Sequence, residues 1–151
     1  MRKIGTIASW TCPLILVFVI GCDGCGGPSS MPIVQITPWV PPARGVNPLV
    51  LSVKVTVTNL GSYVFLDSSG LMKSVLIVTA KDGSNTIGSI EEKMPVSGWG
   101  EGEHKVDLTK AQKDLYENPS AKTVIFEVVA VCQKGTDLPQ KARDTESYTK
   151  P

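Results

Sequence analysis

The chain has 151 residues, 42% of them apolar and 19% charged, a balance that suits one domain with a real core. Its Lys and Arg number 15 against 14 Asp and Glu, a net charge of +1 without a basic stripe or an acidic tract. That argues against nucleic acid as a partner, because neutralising phosphates needs clustered cations, and the single histidine narrows the acid–base and metal chemistry open to the chain.

The first residues divide into three zones. Arg2 and Lys3 supply a positive end, Leu14 to Ile20 an apolar core bracketed by Pro13 and Gly21, and Cys22 follows at once. Those 7 apolar residues fall well short of the roughly 20 that a spanning helix needs. A competing interpretation is an uncleaved membrane helix over Ile4 to Ile20, taking in Gly5, Thr6, Ser9 and Thr11.

Val19-Ile20-Gly21-Cys22 resembles the lipobox of bacterial lipoproteins. The resemblance covers residues 1 to about 23. It implies cleavage between Gly21 and Cys22, fatty acylation of Cys22, and a domain held outside the cytoplasm on a membrane of the cell envelope. Each buried acyl CH2 contributes about 0.8 kcal/mol and one chain alone binds marginally, so the two or three chains usual in that family imply lasting attachment. Asp23, directly after the cysteine, leans toward the inner membrane and its periplasmic face by the rule of enteric-type Gram-negative bacteria. Losing residues 1–21 removes Arg2 and Lys3, which takes the formal charge from +1 to −1.

The resemblance also sorts the cysteines. Cys12 leaves with the signal and Cys22 carries lipid, so Cys25 and Cys132 remain as candidates for a disulfide in an oxidising compartment. Such a bridge closes a loop of about 100 residues, nominally worth about 4.7 kcal/mol in the chain-entropy account. The alternative for Cys132, at the end of an apolar strand, is a buried small hydrophobe. No metal-type cysteine pairing is left, since the C-x-x-C at Cys22 and Cys25 uses the lipidated residue.

Residues 22–30 read as the lipidated cysteine and a Gly-, Ser- and Pro-rich flexible linker, and 31–151 as the folded domain. Pro32 to Thr37 suggests a first strand, and Pro38, Pro41 and Pro42 bar it from central ladder pairing. In Val50 to Asn59, Leu51, Val53, Val55 and Val57 alternate with Ser52, Lys54, Thr56 and Thr58, the period of a half-buried strand. Asn59 to Ser62 reads as a turn, and Tyr63 to Leu66 as a short strand. The uniformly apolar Lys73 to Ala80 suits a central strand, ended by a turn containing Asp82-Gly83.

Weaker strand signals follow at Thr86 to Glu91 and around Met94 to Val96. His104 to Leu108 points Val106 and Leu108 inward. One short helix is expected next, with Thr109 as its cap and Gln112 completing a capping box, Leu108, Ala111 and Leu115 on one face, and Asn118-Pro119 as its stop. Lys122 to Gln133 is a strong strand with Val124, Phe126, Val128, Ala130 and Cys132 on one face. Its other face, with Ile125, Val129 and Val131, implies partial cover as well. The polar tail 134–151 reads as partly disordered or as an edge strand near Ser147 to Thr149.

Short strands spaced by turns, with one crossover helix before a late strand, predict an all-β chain. The architecture expected is a single immunoglobulin-like or transthyretin-like β-sandwich. Val55 to Gly61 (VTVTNLG) resembles a strand and turn of bacterial immunoglobulin-like modules.

Candidate sites are few. A hydrolytic triad would have to use His104 backed by Asp107 or Asp82, and no G-x-S-x-G elbow is present. Glu101, Glu103 and His104 form an E-x-E-H run, but strand alternation sends Glu103 and His104 to opposite faces, so no metal site is assigned. Glu91-Glu92 reads as a solvated face. Trp99 and Trp39 are the candidate contact residues, either as binding platforms or as plugs at the end of a sandwich. The reading is therefore a lipid-anchored structural or interaction subunit of a bacterial envelope assembly, without cofactor or catalytic residue, whose partners are the membrane and an envelope protein. The alternatives are a glycan- or small-ligand-binding module using the loop tryptophans and, behind it, a hydrolase.

Overall fold

A computed structural model of the chain describes residues 30–40, 50–67 and 72–151. The signal segment, Gly21, Cys22, Asp23, Cys25, Pro41 and Pro42 lie outside the described residues. Among the described residues no helix is long and apolar enough to cross a membrane.

The strands are β1 (Ile33–Trp39), β2 (Ser52–Thr58), β3 (Tyr63–Phe65), β4 (Val75–Asp82), β5 (Asn85–Lys93), β6 (Gly102–Asp107), β7 (Thr123–Lys134) and β8 (Gln140–Thr149). They form two antiparallel sheets, β1-β2-β6 and β8-β7-β4-β5, with short β3 pairing β7 beyond the start of β4. The chain is an all-β sandwich with one short helix. Its core is the alternate face of each strand: Val53, Val55 and Val57 from one sheet meet Leu76, Val78, Val124, Phe126 and Val128 from the other.

The period-two pattern of β2 is reproduced, because a strand between β1 and β6 must put every second side chain into the core. β4 is apolar on both faces because it lies between β5 and β7 and is largely covered. Val129 and Val131, on the far side of β7, are 6% and 0% exposed, so that face is covered as its composition implied. Pro38 sits within β1 without conflict. Leu108 donates its N–H to the Leu51 carbonyl at 2.8 Å, which sets the ladder phase and turns the Pro38 nitrogen away from β2. The Gly83-Ser84 hairpin places Gly83 at φ 59°, a conformation that glycine adopts at least cost.

Three local expectations are corrected. Met94 to Val96 is not a strand: β5 ends at Lys93, and Met94 and Val96 drop into the core from a connection in which Pro95 has no N–H to offer a ladder. The tail is the edge strand expected near Ser147 to Thr149, but it begins earlier and does not fray over 140–149, since β8 pairs β7 from Cys132↔Gln140 to Thr123↔Thr149. The helix is a single turn, α1 (Thr109–Ala111), continued by a π-helical turn, Gln112–Tyr116. Leu108 and not Thr109 is the cap, and no side chain caps it. Gln112 is drawn elsewhere: its Oε1 accepts the Leu51 N–H at 2.6 Å, so the capping box does not form. Leu108, Ala111 and Leu115 do share the buried face. The helix fills the place beside three-stranded β1-β2-β6 where the wider sheet would stand uncovered, and Leu115 packs so close to Gly88 that a Cβ there would lie 3.0 Å from its Cδ2.

Candidate functional site

The β5–β6 connection is pinned by Met94 and Val96, and the Trp99 N–H closes a turn on the Val96 carbonyl at 3.0 Å. This lays the Trp99 indole on the His104 ring, with centroids 4.3 Å apart and planes 8° from parallel. His104 stands on β6 opposite Val55, and its Nε2–H donates to the Gly100 carbonyl at 2.8 Å. One face of the indole and one nitrogen of the imidazole are thus engaged within the loop. The pair braces the turn against the core, nearer to the plug than to the open platform.

The other members of the E-x-E-H run go their own ways. Glu101 Oε1 accepts the Leu60 N–H at 2.6 Å, and Glu103 pairs with Lys54 at 3.0 Å. Among the described residues no three His, Cys, Asp or Glu side chains converge as a metal site. Asp107 pairs with Lys105 at 3.2 Å and Asp82 with Lys122 at 2.7 Å, so the structure does not bring either to His104. The hydrogen bond and charge of Asp82 push the Lys122 ammonium pKa up. Glu91 and Glu92 divide: Glu91 reaches Lys73 at the surface, whereas Glu92, expected on a solvated face, is half-buried and accepts the Ala111 N–H at 3.1 Å.

Trp39 behaves differently from Trp99. It is 51% exposed on the outer face of edge strand β1, opposite Ser52, with no stacking partner among the described residues. A separate open cleft of about 470 Å³ lies where the end of β5 meets β6, floored by Met94 and Val106 and walled by Asp67, Lys93, Lys105 and Asp107. Its walls offer cations and carboxylates in equal number, so no one ligand charge is favoured.

Cys132 is fully buried with a free thiol, which donates weakly to the Gln140 carbonyl at 3.7 Å. Burial pushes the thiol pKa up, against a smaller opposing hydrogen bond from its own backbone. It packs as a small hydrophobe, and its proposed partner Cys25 lies outside the described residues.

Several polar residues that hold the sandwich together carry no motif in the sequence. Asp144 Oδ2 accepts the outward N–H of Ile36 at 2.8 Å, joining edge strand β1 to edge strand β8. Ser74, 0% exposed, donates to the Leu66 carbonyl at 2.9 Å and accepts the Val131 N–H at 2.9 Å where β7 changes partner from β4 to β3. Lys150 donates to the carbonyls of Tyr116 and Asn118 at 2.8 and 3.1 Å, with its ammonium 5.3 Å from the Tyr116 ring centre. Burial first, then the charge of Tyr148, push the Tyr116 phenol pKa up. None of them is singled out by the sequence, where Ser74 falls within the uniformly apolar run Lys73 to Ala80. No protein-family model matches the chain, and neither the curated proteins nor the solved structures provide a match.

Proposed function

We propose that the protein is a lipid-anchored β-sandwich of the bacterial envelope, acting outside the cytoplasm as a structural or interaction subunit. The anchor rests on Arg2-Lys3, the apolar core and Val19-Ile20-Gly21-Cys22, and Asp23 leans it toward the inner membrane. Of the two sandwich topologies expected, the strand order β1-β2-β6 over β8-β7-β4-β5 supports the immunoglobulin-like one, whose sheets are built around the same A-B-E and G-F-C neighbours.

The observation that carries the contact role is Trp39. A tryptophan that is 51% exposed on an edge strand is a large, rigid apolar surface of the kind that dominates interface energies. It stands at the end of β1 away from the linker, where a partner approaching an anchored domain has access. The test is gentle detergent extraction after crosslinking in cells. One specific envelope partner is expected with the wild-type chain and with Trp99→Ala, and is lost with Trp39→Ala. Recovery of monomer alone from crosslinked cells would overturn the contact role.

The same exposed indole favours a second reading, a glycan- or small-ligand-binding module. It predicts that a glycan panel quenches or shifts tryptophan emission in the wild type and not in Trp39→Ala. A flat response across the panel removes it. The anchor is tested by Cys22→Ser, which should abolish acyl labelling and membrane partition.

A further inference from the structure

One pole of the sandwich collects the start of β1, the β2–β3 turn, the start of β6 and the β7–β8 hairpin. Ladder register and hydrogen bonds establish this: Ile33 faces Thr58, Gly102 faces Val57, Tyr63 faces Lys134, and Glu101 holds the Leu60 N–H. The Asn59 amide ties the incoming chain to the same pole, donating to the Ser30 carbonyl, the Ser30 hydroxyl and the Met31 carbonyl at 2.9, 2.6 and 2.9 Å.

This pole is also where exposed apolar side chains gather. Among the described residues seven large hydrophobics are exposed, and four of them are here: Met31 (37%), Ile33 (52%), Val64 (59%) and Leu138 (86%). They do not share one face. Ile33 lies on the outside of the β1-β2-β6 sheet, Val64 on the outside of the opposite sheet, and Leu138 at the hairpin tip between Asp137 and Pro139. A protein docking on one flank would leave half of this rim in water, whereas a planar apolar medium meeting the pole end-on covers all of it. The hairpin is held in shape for that, since Asp137 donates its N–H to the Lys134 carbonyl at 3.0 Å and the Gln133 amide donates to the Asp137 carbonyl at 2.8 Å.

The length of chain leading to the pole names the medium. Cys22 and Ser30 are 8 residues apart, a reach of at most about 29 Å at about 3.6 Å per residue. Strand β7 alone, at 12 residues, runs about 40 Å at about 3.3 Å per residue. A linker shorter than the domain forbids the inverted stance, with the far pole on the membrane and the tethered pole a full domain length above it, and it holds the tethered pole within reach of the bilayer surface. We propose that in the anchored protein this pole rests on the bilayer, with Leu138 at the lipid interface and Met31, Ile33 and Val64 at its rim. This rests on the lipid-anchor reading above. It makes the hairpin a second contact that fixes the orientation of the domain and turns the Trp39 end away from the membrane.

The test uses the full, acylated protein in phosphatidylcholine vesicles. With Cys25→Ser as background, Leu138→Cys, Val64→Cys and Ile87→Cys are labelled singly with an environment-sensitive fluorophore. Acylated Cys22 and buried Cys132 stay unlabelled, and Ile87 reports the far pole. A nitroxide quencher carried on the lipid should quench labels 138 and 64 at least twofold more than label 87. Equal quenching at all three positions overturns the proposal while leaving the anchor intact. A chain that lacks the acyl mass on Cys22 and does not float with the vesicles overturns the anchor reading itself and the proposal with it. The two failures are thereby distinguished.

Discussion

Replacing Ser74 by alanine probes the point where β7 exchanges one neighbour for another. β4 pairs β7 up to Val75↔Val129, and β3 takes over at Phe65↔Cys132. Between them the Val131 N–H and the Leu66 carbonyl have no strand to bond, and the Ser74 hydroxyl serves both at 2.9 Å while itself 0% exposed. Alanine leaves the Val131 N–H buried without an acceptor, at about 1–3 kcal/mol. The lost bond to the half-buried Leu66 carbonyl, which water can reach, adds about 0.5–1.5 kcal/mol. We therefore expect about 2–4 kcal/mol of destabilisation, a large share of the 5–15 kcal/mol typical of a domain. Urea unfolding of residues 22–151 carrying Cys22→Ser, followed by tryptophan emission, should show an unchanged slope. With a slope of about 2 kcal/mol per molar, the midpoint moves down by roughly 1–2 M. Ser89→Ala is the control: its hydroxyl meets Thr79 at 2.9 Å on the exposed face, so it should stay within about 0.5 kcal/mol of wild type. If Ser74→Ala matches Ser89→Ala, the hydroxyl bridge is not what joins β3 to β4.

Asp144→Ala should free edge strand β1, costing about 1–2 kcal/mol and speeding amide exchange at Ile36 well above that at Val55, whose strand keeps both neighbours. Gln112→Ala should cost about 1–3 kcal/mol in the same urea titration by orphaning the N–H of fully buried Leu51, and Glu117→Gln, which leaves the Leu51 bond in place, should cost less. Gly88→Val should cost about 1–3 kcal/mol, because Leu115 already lies at contact distance from a first side-chain carbon, and a thermal melt will show it. The raised Cys132 thiol sets a pH dependence: the folded chain holds its proton more tightly than the unfolded one. That contribution to stability is therefore present below the ordinary thiol pKa and is lost as pH rises toward the raised folded value. Unfolding midpoints should fall on the alkaline side, less so in Cys132→Ala once its own cavity cost is subtracted, and maleimide should modify Cys132 only with unfolding.

Local pattern determined the elements wherever a strand has one wet face and one dry one. β2 announced itself through Val53, Val55 and Val57 with Leu51 just ahead of it, β7 through five alternating apolar residues, and Leu108, Ala111 and Leu115 announced the buried side of a helix. A period in the sequence records which side of an element is dry, and that much needs no knowledge of the neighbours. β8 was legible only at its last few residues. It is an edge strand whose side chains are mostly polar on both faces, and its order comes from ten residues of pairing along β7.

The site shows the same division. The proposed anchor rests on a linear pattern, residue types at fixed spacing, which is legible in the sequence alone. Which tryptophan is open could not be read that way: Trp99 between two glycines looked as free as Trp39 between Pro38 and Val40. Only tertiary structure set Trp99 on His104, left Trp39 half in water, and sent Gln112 to Leu51 instead of to its own helix. It also gathered Met31, Ile33, Val64 and Leu138, separated by up to 107 positions in the chain, at the pole the linker enters. Sequence determines what each segment must hide from water; which segments end side by side follows from sheet order and strand register, set by contacts far apart in the chain.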